Sequence, residues 1–167
     1  MFSHGRLDPG TALLLRAAPA PPSAGTALDL GCGTGAMAVA LGRRAPDAEV
    51  WAVDVNERAR DLCAANVAAN GLTNVAVAAP DDVPDGVRFD VIWSNPPIRI
   101  GKAALHGLLA TWLDRLAPTG RAVLVVHKHL GSDSLQRWLA DQGWPTTRLA
   151  SAKGYRLLDV RPRVPDR

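Results

Sequence analysis

Ser94-Asn95-Pro96-Pro97 follows directly on the apolar run Phe89-Asp90-Val91-Ile92-Trp93, and this juncture is where the chain is equipped to do chemistry. A strand that ends in Asn-Pro-Pro presents one amide side chain on a backbone without N–H groups, because Pro96 and Pro97 have fixed φ and no donor. Their carbonyls are expected to point outward, beside the side-chain oxygen of Asn95. Several acceptors converging on one point suit a planar –NH2 group, such as the exocyclic amine of a base or an amide. The same residues also read as a plain strand-ending turn, since Asn and Pro are common turn formers.

A second cluster lies upstream. Thr26 to Leu30 reads as a buried strand running into Gly31-Cys32-Gly33-Thr34-Gly35, followed by a helical pattern from Ala36 to Arg44. A glycine-rich turn between strand and helix lets a ligand approach the backbone closely, with helix N–H groups directed at it. The next strand ends in Asp54, nineteen residues after Gly35, where a carboxylate can accept from both hydroxyls of a ribose. Gly31, Gly33 and Ala36 also fit the dinucleotide fingerprint G-x-G-x-x-A, so either reading binds a ribose-bearing cofactor. Asp29, two residues before the first glycine, favours S-adenosylmethionine: a carboxylate there faces a cationic amino group but repels a pyrophosphate. A dehydrogenase has no use for the Asn-Pro-Pro acceptors on the same cleft.

These residues together resemble the class I methyltransferases. Phe2-Ser3, Leu7-Asp8-Pro9-Gly10-Thr11 with Leu13-Leu14-Leu15, Leu28 to Gly35, Asn66-Val67-Ala68-Ala69-Asn70-Gly71 and Phe89 to Pro97 look like the MTS-type domain of the ribosomal RNA guanine-N2 methyltransferases. The resemblance runs from Phe2 to about Pro162. It implies methyl transfer from S-adenosylmethionine to a base amine of rRNA, with Asn95, Pro96 and Pro97 at the reacting amine. It implies cofactor contacts from Thr11, Asp29, Gly31, Cys32, Gly33, Gly35, Asp54 and Val55, and from Asp82 or Asp81 to the adenine amine; a solvated acidic turn is the alternative reading of those last two. Ile98 departs from the family, which carries Phe or Tyr there to stack on the target base, a contact worth about 1 to 3 kcal/mol. With Ile98, the substrate side is expected to comprise Arg99, Lys102 and Lys128.

The elements that must position these groups alternate. A short helix from about Pro9 to Ala18 and a Pro-rich loop precede strand 26–30, helix 36–44, strand 49–54, helix 56–70, strand 74–78 and strand 89–94. Helix 102–115, strand 121–126, helix 132–142 and a strand pair near 146–150 and 155–160 complete the chain. Alternating β and α units predict an α/β fold with a doubly wound, mostly parallel sheet, and place the ligand at the carboxyl ends of the first and fourth strands. The resemblance adds an antiparallel last strand from Tyr155 to Val160.

Composition bounds the rest. A chain of 167 residues suits one domain, a core over 26–162 preceded by residues 1–25, with substrate recognition resting on that domain or on a partner. No apolar segment reaches membrane-spanning length and the start lacks a signal-peptide pattern, so a cytoplasmic protein is expected. Cys32 and Cys63 make neither a disulfide framework nor a metal set, and His4, His106, His127 and His129 close no zinc site; no metal is expected. Of five tryptophans, Trp51, Trp93, Trp112 and Trp138 read as core. Trp144 reads as a loop anchor. The net charge is +3, and sixteen of nineteen basic residues are Arg, whose planar fork suits phosphates. Arg99, Lys102, Lys128, Lys153 and Arg156 fall at or near the carboxyl-end loops, where rRNA or a ribosomal particle would enter. A protein amide or small molecule as methyl acceptor, and a non-catalytic cofactor-binding module, are the other readings.

Overall fold

The computed structural model describes residues 2–3 and 6–163; Met1, His4, Gly5 and the residues beyond Arg163 lie outside the description. Fourteen helices and strands follow in order. They are β1 (Phe2–Ser3), β2 (Arg6–Leu7), α1 (Pro9–Ala17), β3 (Ala24–Leu30), α2 (Ala36–Arg44), β4 (Asp47–Val53) and α3 (Glu57–Ala69). Then come β5 (Val75–Ala78), β6 (Phe89–Ser94), α4 (Lys102–Leu113), β7 (Leu116–His127), α5 (Ser132–Asp141), β8 (Thr146–Ala152) and β9 (Tyr155–Val160). β1 and β2 form a small antiparallel ladder that the sequence reading did not foresee.

Seven strands make one sheet in the order β5-β4-β3-β6-β7-β9-β8. All pairs among β5, β4, β3, β6 and β7 are parallel, and β9 inserts antiparallel between β7 and β8. The order turns back on itself between β3 and β6, so their carboxyl ends diverge into a crevice. That places the glycine-rich turn and Asn-Pro-Pro side by side. β7 begins five residues earlier than the sequence suggested, at Leu116, through a bulge against Phe89 and Val91 of β6.

The period-two alternation of each strand divides the core into two layers. Ala27, Val91, Trp93, Val123, Val125 and Leu157 pack with Leu13, Leu14, Met37 and Leu41 under α1 and α2. Leu28, Leu30, Ile92, Leu124, Val126 and Leu158 pack with Leu105, Leu109, Trp112, Leu135 and Leu139 under α4 and α5. Asp29 shares parity with Ala27, and Asn95 with Val91 and Trp93. Both therefore emerge on the α1–α2 side of the sheet, while Ile98 joins the α4–α5 core. Burial of an aromatic such as Trp93, fully enclosed, stabilises the layer by about 1.5 to 3 kcal/mol.

Local chemistry starts the helices that matter. Asp8 is the N-cap of α1, its Oδ2 accepting from the Thr11 N–H at 2.9 Å, with Pro9 at the first helical position. Asn56 caps α3 by accepting from Ala59 N–H at 3.0 Å. Gly35 opens α2 with φ of 97°, and a Cβ there would lie 2.7 Å from Cys63 Sγ, so glycine lets α2 and α3 close together. Trp144, fully buried beside Trp138 at a ring separation of 5.9 Å, anchors its turn.

Candidate active site

A cavity of about 160 Å³ opens at the crevice, lined by Thr11, Asp29, Gly31, Cys32, Gly33, Ala36, Met37 and Asn95. Five of the expected cofactor residues and Asn95 meet here. Ala36, a position of the G-x-G-x-x-A fingerprint, and Met37 add the first turn of α2 to the wall. Periodicity could have found both, since they open the helix that follows the glycines.

Backbone bonds hold the wall of the cavity open. The Val53 carbonyl accepts from both Gly31 N–H and Cys32 N–H, at 2.8 and 2.9 Å, tying the loop to the end of β4. Asp54 Oδ2 accepts from Gly33 N–H at 3.0 Å and its Oδ1 from Asn56 N–H at 2.9 Å. Asn66 donates from Nδ2 to the Thr34 carbonyl at 2.7 Å, which gives Asn66 of the Asn66–Gly71 stretch a structural task. Gly31 and Gly33 have φ of 74° and 54°, and nothing approaches within 4 Å of where a Cβ would stand. The space is left for a ligand against bare backbone.

Asp29 is the electrostatic centre of the cavity. It is 1% exposed, and its Oδ2 is buried with no hydrogen-bond partner. Burial pushes its carboxyl up to about 7; the Ala38 backbone N–H opposes this and the negative Asp54 adds to it. An orphaned buried carboxylate oxygen fits a cationic amino group, which would satisfy the acceptor and neutralise the charge. The cavity therefore suits the methionine end of S-adenosylmethionine. Cys32 is no nucleophile: the Cys63 thiol and burial push its own thiol far up, so it stays protonated.

The other expected contacts stand differently. Gly35 is buried against Cys63 and serves helix packing instead of lining the cavity. Val55 is 80% exposed just past β4. Asp81 and Asp82 are exposed on the 3-10 turn Pro80–Asp82, which Val83 anchors in the core. Asp54, Val55 and Asp82 do not line the cavity; Asp54 borders it through its bond to Gly33 N–H.

At the Asn-Pro-Pro tip, Asn95 and Pro97 are exposed and Pro96 is buried. One expectation needs correction. Neither proline carbonyl points freely outward: that of Pro96 accepts from Ile98 N–H at 2.9 Å across an inverse γ-turn, with Pro97 at φ −77° and ψ 79°, and that of Pro97 accepts from Ile100 N–H at 3.3 Å. On the Pro96 carbonyl, the second lone pair is what remains for a substrate. The same turn starts a 3-10 segment, Ile98–Ile100, and swings Ile98 toward α4 and α5. There it lines a separate cavity of about 210 Å³ with Lys102, Leu105, His106, Leu130 and Leu135.

Asn95 itself is held. Its Nδ2 donates to Asp8 Oδ2 at 3.1 Å, the same oxygen that caps α1. Tyr155 packs on Gly10 of that helix, and burial together with the Asp8 charge raises its hydroxyl, which stays neutral. Arg99, Lys102 and Lys128 are exposed, the first two just past the tip in sequence and Lys128 directly after β7, with Lys153 on the β8–β9 turn. Arg156 leaves the expected basic rim, because Asp133 of α5 pairs with both Arg156 and Arg148. Among the described residues no group of three or more His, Cys, Asp or Glu is placed to hold a metal ion, and no helix is long and apolar enough to cross a membrane.

The family described as methyltransferase small domain matches residues 1–159. Relatives include the uncharacterized protein YbxB of Bacillus subtilis, 31% identical over 164 residues and covering 96% of this chain and 82% of that one. Ribosomal RNA small subunit methyltransferase C of Pseudomonas aeruginosa is 38% identical over 168 residues, covering 96% of this chain and 48% of that one. The chain thus spans about half the length of the methyltransferase C relatives it matches. Among solved structures, the 16S rRNA N2 methyltransferase (RsmC) of T. thermophilus, in complex with AdoMet and guanosine, superposes with a TM-score of 0.75 at 27% identity, covering 97% of this chain and 45% of that one. The ribosomal protein L11 methylase of Lactobacillus delbrueckii, at 22% identity and a TM-score of 0.71, covers 93% of this chain and 77% of that one and shares the fold.

Proposed function

The chain belongs to the methyltransferase small domain family, and on that premise we propose that it moves a methyl group from S-adenosylmethionine to an exocyclic amine, guanine N2 of ribosomal RNA. The observation that carries this reading is the meeting, in one cavity, of an orphaned buried Asp29 oxygen with the Asn95 amide. The names of the methyltransferase C relatives and the guanosine in the RsmC structure support the choice of acceptor.

Bound there, S-adenosylmethionine supplies a methyl group on an electrophilic sulfonium. The chain's own residues hold and align. Asp29 would hold the amino group, Gly31 and Gly33 would offer bare backbone, and Asp54 would take the ribose. Asn95 Oδ1 and the remaining lone pair of the Pro96 carbonyl would accept the hydrogens of the target amine, leaving its nitrogen lone pair free to face the methyl group. Those acceptors also favour the positive charge that develops on the nitrogen. The proton then passes to water.

Tritiated methyl transfer to ribosomal particles, naked rRNA and total protein, followed by nucleoside analysis, tests the reading. Label in N2-methylguanosine is the expected result; label confined to protein would overturn the RNA assignment.

Asp54→Ala is expected to weaken S-adenosylhomocysteine binding by at least about tenfold, because it removes charged acceptors from the ribose and releases Gly33 N–H. Calorimetry giving an unchanged Kd would remove Asp54 from the ribose. The basic rim makes a separate claim. If Arg99, Lys102 and Lys128 meet phosphates, neutralising each lowers the slope of log K against log salt for RNA binding by roughly one, with cofactor affinity unchanged. A slope near zero in the parental protein points instead to a protein or small-molecule acceptor.

A further inference from the structure

We propose that Asp8 is a positioning residue of the methyl-transfer site, fixing which face of the Asn95 amide meets the substrate. The inference rests on the function proposed above and deepens it. An ionised carboxylate only accepts hydrogen bonds, so the group that Asn95 turns toward Asp8 Oδ2, 3.1 Å away, has to be the –NH2 end. The amide is planar, so its carbonyl oxygen is turned away from Asp8, and Asn95 is also a lining residue of the cofactor cavity. Without Asp8 the amide could rotate by half a turn and aim a donor at an amine that needs an acceptor.

Asp8 is itself rigid for a reason the fold supplies. Its Oδ2 also caps α1 through Thr11 N–H at 2.9 Å, Pro9 sets the first φ of that helix, and Gly10 lets the Tyr155 ring pack against it. A Cβ on Gly10 would stand 2.8 Å from the ring and 3.1 Å from that same Oδ2. Thr11, one turn on, lines the cofactor cavity. The first turn of α1 therefore joins the cofactor wall to the acceptor amide, across 87 residues of sequence. This accounts for Leu7-Asp8-Pro9-Gly10-Thr11, a motif that cofactor contacts alone leave unexplained.

Two variants separate positioning from folding. Asp8→Ser keeps a good N-cap but is too short to reach Asn95. Asp8→Asn keeps one oxygen able to accept from both Thr11 N–H and Asn95 Nδ2. With ribosomal particles or naked rRNA as methyl acceptor, Asp8→Ser is expected to lower kcat about 10- to 100-fold with Tm, cofactor Kd and KM close to parental, the size of loss that misaiming a catalytic contact produces. Asp8→Asn is expected to recover most of that rate. The Asn95 side-chain amide resonance, assigned by its loss in Asn95→Ser, should move in Asp8→Ser toward the position of free amides. An unchanged resonance or an unchanged kcat in Asp8→Ser overturns the proposal. Equal losses in Asp8→Ser and Asp8→Asn overturn it as well, since the charge and not the aim would then matter. Should the parental protein methylate no RNA, the function reading falls, and the amide resonance still decides whether Asp8 orients Asn95.

Discussion

Asn95→Ala is expected to bind S-adenosylhomocysteine with near-parental affinity and to lose about a hundredfold or more in kcat. Asn95 sits at the exposed end of β6, so nothing in the core depends on its side chain. In the proposed reaction its amide oxygen would act on charge that appears only as the methyl group moves, and an interaction of that kind falls on kcat and leaves ground-state binding nearly intact. Asn95→Asp is the harsher test despite its size. It places a second carboxylate about where Nδ2 now meets Asp8 Oδ2 at 3.1 Å, and two such groups cannot both ionise cheaply. Its activity should therefore rise as pH falls and one of the pair takes up a proton, the reverse of ordinary amine methylation. Single-turnover rates with labelled cofactor measure both variants. If Asn95→Ala transfers methyl at close to the parental rate, Asn-Pro-Pro is a turn and nothing more.

Periodicity and turn chemistry carried most of the fold. The helices 36–44 and 102–113 and the strands 89–94 and 155–160 start or end where sequence places them, because glycines, prolines and caps punctuate the chain there. Asp29 and Asn95 were legible as neighbours for a related reason: one is the last residue but one of β3 and the other directly follows β6, and adjacent parallel strands bring their carboxyl ends together.

What escaped the sequence depends on distant contacts. The Asp8–Asn95 bond spans 87 residues and exists only because α1 packs against β7 and β9 beside β6. No local pattern marks Asp133 as the partner that takes Arg156 out of the basic rim. Ile98 reads from its motif position as the residue over the target base. The γ-turn through Pro97 instead directs it to the α4–α5 layer, and that turn follows from φ and ψ values which sequence constrains only for the prolines.

Cofactor affinity is expected to be bell-shaped in pH, with the acid limb set by Asp29. In the free protein burial holds this carboxyl at about 7, far above the ordinary 3.8. The cationic amino group of the cofactor favours the ionised form, so binding below about pH 7 has to expel a proton, and Kd should rise by up to about tenfold for each pH unit. Loss of the proton on the cofactor's ammonium sets the alkaline limb. The same shift governs stability. A carboxyl whose folded-state pKa is raised favours the fold fully below its unfolded value near 3.8, and that contribution is lost as pH rises through about 7. The ligand-free protein should therefore melt lower at pH 8 than at pH 6 from this group, with the cofactor product restoring more at pH 8. Asp29→Asn, neutral throughout, separates the terms: it should raise the ligand-free Tm at pH 8, weaken binding, and flatten the acid limb while leaving the alkaline one. Calorimetry in buffers of different ionisation enthalpy counts the expelled proton directly. A parental Kd that stays constant from about pH 5.5 to 7.5, with no proton released, would show that binding does not ionise Asp29 and would overturn the acid limb.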